Sequence, residues 1–252
     1  MNVFLNINDI QYTIDLSNPL DISIVLQASE KNLEAWYLEP PKINPVVIDD
    51  WVAKVSEGAS INFNNIFFNP HAHGTHTECV GHISEEFHSV NKALKEFFFL
   101  AEVVTVAPET LNNDQVISAK QLKKLLGDKK PEAIVIRTLP NTSSKKSRKY
   151  SHTDWPYLTE EAAVFLRGHG VQHLLIDLPS VDKEKDDGKL LAHRAFWNYP
   201  DAPRFQATIT EFIYVSNKIK DGSYLLNLQI ASFRNDATPS KPVLYELIAP
   251  DF

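Results

Sequence analysis

A lone cysteine among 252 residues excludes an internal disulfide and fits a reducing compartment, so a cytoplasmic protein is expected. Glycine is scarce too. The eight glycines form no glycine-rich strand-to-helix turn, which removes the support for a flavin- or nucleotide-dependent oxidoreductase. Excess positive charge is missing: a net charge of −7 and a pI near 5.7 argue against a nucleic-acid partner, whose phosphates are bound by clustered Lys and Arg. The one basic run, "SSKKSRKY" at 143–150, reads as a solvated loop. No apolar run approaches the ~20 residues that cross a bilayer, so no membrane role is expected. The opening "MNVFLNINDIQYTIDLS" alternates polar and apolar residues and is read as strands, not as a signal peptide. What is present, 43% hydrophobic and 23% charged residues, suits a globular protein, expected to form one domain over residues 1–252.

Period-two alternation over 3–7 and 10–16, around Asn8-Asp9, predicts a β-hairpin. The Pro-rich segment 36–51, "WYLEPPKINPVVIDDW", reads as a loop or lid. Further strands are expected at 60–68, 99–106, 133–138, 172–178, 207–215, 223–233 and 242–248. Ser118 ahead of Gln121, and Thr159 ahead of Glu160 and Glu161, mark two helix starts, the second helix ending at Gly168 or Gly170. Strand, helix, strand over 133–178 is an α/β unit, whereas the chain ends look antiparallel.

The densest chemistry lies in "FNPHAHGTHTECVGHI", residues 68–83, which holds four of the nine histidines, a glutamate and the cysteine. In an extended segment residues two apart share a face, so His76 and Glu78 can converge on one centre with Thr77 turned away. Gly74 permits a turn that brings an earlier histidine, His71 or His73, to the same centre. Imidazole and carboxylate without thiolate pairs suit Zn²⁺ or Mn²⁺ and leave a coordination position open. His82, four residues past Glu78, can stand nearby as a proton shuttle. Cys79 points off this face and reads as a small buried hydrophobe. From the residues alone His193 reads as a helix-surface histidine and Glu211 as a strand-edge charge.

"AHGTHTECVGH" resembles the signature H-x-G-T-H-x-D-x-P-x-H of the cyclase-like metal hydrolases, which include kynurenine formamidase and isatin hydrolase. "YTIDLSNPL", "AIVIRTL", "LTEEAAVFLRGHGVQHLLIDLPSVD", "LLAHRAFW", "ATITEFIYVSN" and "DGSYLLNLQIASFRNDATPSKPVLY" are similar to its later segments. The resemblance implies a mixed α/β fold of swivelling β/β/α type, with a barrel-like central sheet flanked by helices and antiparallel hairpins at both chain ends. It implies hydrolysis of a non-peptide amide, formamide or cyclic amide on a small-molecule substrate, with one or two divalent ions and a homodimer or larger homo-oligomer. His76, Glu78, His193 and Glu211 match metal ligands, and His82 matches the proton donor and acceptor. Trp36 is expected to wall the substrate pocket, with Ser180 and Asp182 as turn-capping or supporting residues. Three departures stand out: Ala72 occupies the place of the family's first histidine, Glu78 replaces an aspartate, and Val80 replaces a proline. A bulge that turns His71 toward the metal would make good the first, with His73 the alternative.

Overall fold

β1 (Asn2–Ile7) and β2 (Ile10–Asp15) pair antiparallel, Ile7 facing Ile10. Asn8 and Asp9 have φ of 48° and 64°, the left-handed pair that a two-residue hairpin needs. The computed structural model describes residues 1–250.

The segment expected to be a loop or lid contributes β3 (Lys42–Pro45), which pairs antiparallel with β4 (Asn64–Phe67). Of the segment's three prolines only Pro45 falls in this strand, at its last residue, where a missing N–H is tolerated; Pro40 and Pro41 precede it. The strand expected at 60–68 is therefore shorter, and it lies in this ribbon rather than in the main sheet. A single helical turn, α1 (Pro70–His73), follows.

The central sheet has eight strands. Seven of them close the barrel, β5 (His76–Glu78), β6 (Phe98–Val106), β7 (Ala133–Thr138), β8 (His173–Ile176), β9 (Thr208–Glu211), β10 (Gly222–Ile230) and β11 (Ala237–Glu246), and the two-residue Leu20–Asp21 pairs antiparallel with β11. The order of the seven is β10-β6-β7-β8-β9-β5-β11, and β11 pairs back onto β10, closing a barrel. β6 to β9 run parallel to one another and the remaining pairings are antiparallel, so the sheet is mixed. Alternation along β7 builds two cores. Ala133 and Val135 point inward with Val103, Leu175 and Leu226, while Ile134 and Ile136 point outward under the helices. Those helices are α2 (Ala119–Leu126), held by the Ser118–Gln121 capping box, α3 (Glu160–Gly168), capped by Thr159, and α4 (Leu191–Trp197). The two helix starts read from sequence are thus the observed ones.

The basic run is not wholly solvated. Lys145 is 3% exposed and donates to Asp177 Oδ2 at 2.7 Å and to the Thr138 carbonyl at 2.6 Å. Thr138 N and Oγ1 also donate to Asp177, so the buried carboxylate is satisfied on every side. A charge run shows which residues are polar; it does not show that one of them has a buried acid waiting beneath the loop.

Candidate metal centre

Asn69 and Pro70 decide how the histidine stretch begins. The Asn69 side chain accepts from His71 N at 2.9 Å and proline stands at the first helical position, so the chain turns helically where a β-bulge was expected. Residues two apart on a helix point ~200° away from each other. His71 therefore faces the sheet while His73 faces away, its Nδ1 accepting from Asn69 N at 2.9 Å. The structure brings His71, not His73, to Glu78, with His71 Nδ1 3.1 Å from Glu78 Oε2.

β5 carries the next two groups on one face, as its pleat requires. His76 and Glu78 are completely buried, while Thr77 turns to the opposite face and shares a 2.7 Å hydrogen bond with Thr210. Cys79 continues on that opposite face and packs with Val90 and Ala93, where burial pushes its thiol up to about 11. Across β9 the register sets Glu211 against His76, with Oε2 3.4 Å from His76 Nε2. Glu211 is buried, and its Oε1 accepts from Val181 N at 2.9 Å. His193 comes from α4, also buried, and places Nε2 3.0 Å from Glu78 Oε1. Neither residue is on the surface, contrary to what its local sequence suggests; each is covered by a part of the fold remote in sequence.

Supporting groups fix the rings. His76 Nδ1 donates to the Gly74 carbonyl at 3.0 Å, which leaves Nε2 as the lone-pair nitrogen. His193 Nδ1 donates to Asp182 Oδ2 at 2.6 Å, and the same carboxylate accepts the N–H groups of Ala192 and His193 at the start of α4. Asp182 thus both caps the helix and orients the ring. Ser180 Oγ accepts from Asp182 N at 3.1 Å. Asp236 is the residue that the sequence reading missed: its Oδ2 lies 3.0 Å from His71 Nε2 and 3.3 Å from His82 Nδ1. The signal for it was slight, a single acid ahead of the small-residue and proline pattern of the closing hairpin. His82, partly exposed at the rim, stacks on His71 with ring centres 4.3 Å apart.

Electrostatically the cluster is tightly balanced. Burial alone would raise the Glu78 carboxyl, but the neighbouring His82 and hydrogen bonding from His193 hold it well below the carboxylate range. Burial would depress His193, yet its bonds to Asp182 and Glu78 drive it well above the imidazole range. His71, likewise desolvated, is pushed up to about 10 by Asp236 and Glu78.

Two atoms of the cluster are left outside any well-formed hydrogen bond. His76 Nε2 and Glu78 Oε2 are fully buried, and their nearest polar contacts are the candidate ligands themselves, Glu211 Oε2 at 3.4 Å and His71 Nδ1 at 3.1 Å; His73 Nε2, on the far side of the turn, is also unpaired. Such atoms are costly unless something else coordinates them. His71, His76 and Glu78 each bring one ligand atom, all within 4.8 Å of one another, as do Glu78, His82 and His193. A donor set of imidazole and carboxylate with two such atoms fits a divalent metal. Trp36 belongs to an aromatic layer beside this cluster. It is half-buried, meets Trp155 edge-on at 5.0 Å, and joins the site through a layer containing Tyr150 and Phe212, the latter 5.9 Å from the His76 ring.

Solved structures share this architecture. Isatin hydrolase A from Labrenzia aggregata, bound to benzyl benzoate, aligns with TM-score 0.66 at 13% identity, covering 91% of this chain and 94% of its own. An isatin hydrolase bound to the product analogue thioisatinate aligns with TM-score 0.64 at 14% identity, covering 91% and 92%. A predicted metal-dependent hydrolase from Bacillus stearothermophilus aligns with TM-score 0.62 at 14% identity, covering 90% and 98%. At these identities the likeness is one of fold. No protein among the curated sequences matches. The sequence profile of the Cyclase family matches residues 14–183, a span that includes the whole histidine stretch and Asp182 and stops short of His193, Glu211 and Asp236. With the profile covering most of the chain and the barrel matched nearly end to end, this chain belongs to the Cyclase family.

Proposed function

We propose that the protein is a metal-dependent hydrolase of a non-peptide carbon–nitrogen bond in a small amide, formamide or cyclic amide. The observation that carries this reading is the convergence of His71, His76 and Glu78, with His76 Nε2 and Glu78 Oε2 fully buried outside any well-formed hydrogen bond. His71, His76 and Glu78 would hold the ion, Zn²⁺ or Mn²⁺, with His193 and Glu211 completing the ligand set or serving a second ion. A divalent ion bound there supplies Lewis acidity toward the substrate carbonyl and makes water acidic enough to attack at neutral pH.

The remaining work falls to the chain. Asp182 and the Gly74 carbonyl keep His193 and His76 in the ring orientations that ligation needs. His82, at the rim with its Nε2 outside any hydrogen bond among the described residues, accepts the proton of the attacking water and returns it to the leaving nitrogen. Trp36 and its aromatic neighbours wall the approach to the site. That matched relatives are isatin hydrolases, one holding a product analogue, supports a cyclic amide within this class.

We also infer a homo-oligomer, built through the β3–β4 ribbon. Ile66 and Phe67 on that ribbon are 56% and 62% exposed, apolar surface that a second copy of the chain would cover.

Hydrolysis of a panel of amides, lactams and lactones by wild type and His82→Ala tests the enzyme reading. We expect a cyclic or formyl amide to be cleaved by wild type, and the variant to lose ~100-fold or more in kcat while keeping its metal. A wild-type protein that carries metal and cleaves none of the panel would point to a metal- or ligand-binding protein on the same fold.

A further inference from the structure

Asp236 holds two imidazoles with one oxygen. Its Oδ2 lies 3.0 Å from His71 Nε2 and 3.3 Å from His82 Nδ1, and the two rings stack. The carboxylate has little freedom to leave. Cys79 N donates to the Asp236 carbonyl at 3.1 Å, Val90 N donates to the Asn235 carbonyl at 2.9 Å, and Ala237, the next residue, pairs with Glu78 in the sheet. No lysine or arginine pairs with Asp236 among the described residues; its only ionic partners are the two histidines.

A carboxylate oxygen only accepts hydrogen bonds, so each ring nitrogen facing it carries a proton. That choice determines the other nitrogen of each ring. By the same rule His71 Nδ1, 3.1 Å from Glu78 Oε2, is protonated in the metal-free protein; with Nε2–H held by Asp236, Nδ1 is the nitrogen that gives up its proton to an ion, and His82 is left with Nε2 as its free lone pair toward the mouth of the site. Asp182 performs the first of these functions for His193, one carboxylate to one ring. Asp236 does it for two rings of different use, one a candidate ligand and the other the candidate proton carrier.

We infer that Asp236 is a positioning residue that fixes the tautomers of His71 and His82 together, so that the ligand ring and the proton-carrying ring are set by one group. The catalytic consequence rests on the hydrolase reading above; the tautomer assignment does not. Because both contacts use the same oxygen, an asparagine with its amide oxygen in that place can keep both bonds in a weaker, uncharged form. An alanine keeps neither.

Long-range ¹H–¹⁵N spectra of the histidine rings, recorded on wild type, Asp236→Asn and Asp236→Ala with and without Zn²⁺ at pH 8, read the tautomers directly. We expect His82 as the Nδ1–H form in wild type and Asp236→Asn, and a shift toward the Nε2–H form in Asp236→Ala. In the Zn²⁺-loaded protein His71 should carry its proton on Nε2. On a substrate that wild type cleaves, Asp236→Ala should lose ~100-fold in kcat with KM within ~3-fold, and Asp236→Asn less than ~10-fold. An Nε2–H His82 in wild type overturns the proposal. So does loss of the His82 Nδ1 proton on Zn²⁺ addition, which would make His71, His82 and Asp236 a cation site instead. If Asp236→Ala does not fold, the wild-type and Asp236→Asn spectra still decide. A wild type without hydrolytic activity removes the hydrolase reading and leaves the tautomer result standing.

Discussion

The mouth of the barrel and the β3–β4 ribbon invert the usual distribution of residues. The mouth buries His76, Glu78, His193 and Glu211 almost completely, whereas the ribbon leaves Ile66, Phe67 and, just beyond it, Val47 more than half exposed. Each region is locally incomplete in its own way. The mouth has buried ligand atoms outside any well-formed hydrogen bond, which an ion would satisfy; the ribbon has apolar area that the proposed oligomer would cover. A third place shows what completeness looks like. Lys145 and Asp177 are just as buried, but Thr138 and the ion pair satisfy them from within the chain, and nothing external is called for. Buried charge by itself therefore does not mark a site; buried charge with an unfilled valence does.

The comparison can be broken most forcefully at Glu78. Glu78→Gln should lower hydrolysis by ~10³-fold or more and remove the metal, measured by kcat/KM and metal content, because the central charge of the donor set is gone. Retained metal in that variant would show that the mouth is held together by other groups. Lys145→Ala should cost about 3–5 kcal/mol in urea unfolding, since Asp177 would be left buried and unpaired. A cost below ~1 kcal/mol would mean that water reaches Asp177 and that the contrast with the mouth is not one of completeness. His173 gives a pH-dependent counterpart. Burial lowers it to about 4 in the folded protein, against 6.5 for an ordinary imidazole, so between these values the unfolded chain binds a proton that the folded chain refuses. Its contribution is full above pH 6.5 and is lost as pH falls toward 4, about 3 kcal/mol in all. His173→Gln should flatten that slope in urea melts at a series of pH values. The smallest effect on stability belongs to the ribbon: Phe67→Glu should leave the folded chain within about 0.5 kcal/mol of wild type while shifting sedimentation toward the monomer.

Local pattern made much of the fold legible. The Asn8-Asp9 hairpin, the Ser118 and Thr159 helix starts and the alternation of β7 follow from turn, cap and pleat rules that act over a few residues. His76 and Glu78 on one face with Thr77 and Cys79 on the other were legible for the same reason. His71 does lie beside Glu78, but a helical turn brings it there and not the expected bulge, because Asn69-Pro70 is a helix-start signal that was overshadowed by the expected strand. Asp236 was out of reach, being 165 positions from His71 and brought to it only by closure of the barrel. Lys145 and the ribbon failed likewise: whether a charge is covered or an apolar strand is bare depends on what packs over it, which no local pattern records. His193 and Glu211 were singled out through family likeness alone, since a lone histidine or glutamate carries no positional signal of its own.

The central claim, that this mouth is a metal site completed by His71 in place of the family's histidine at the Ala72 position, meets its most direct test in metal content. Protein prepared without chelator should carry at least one divalent ion per chain in wild type and in His73→Ala, and far less in His71→Ala. Absence of metal from wild type, or full metal in His71→Ala with loss in His73→Ala, would contradict it.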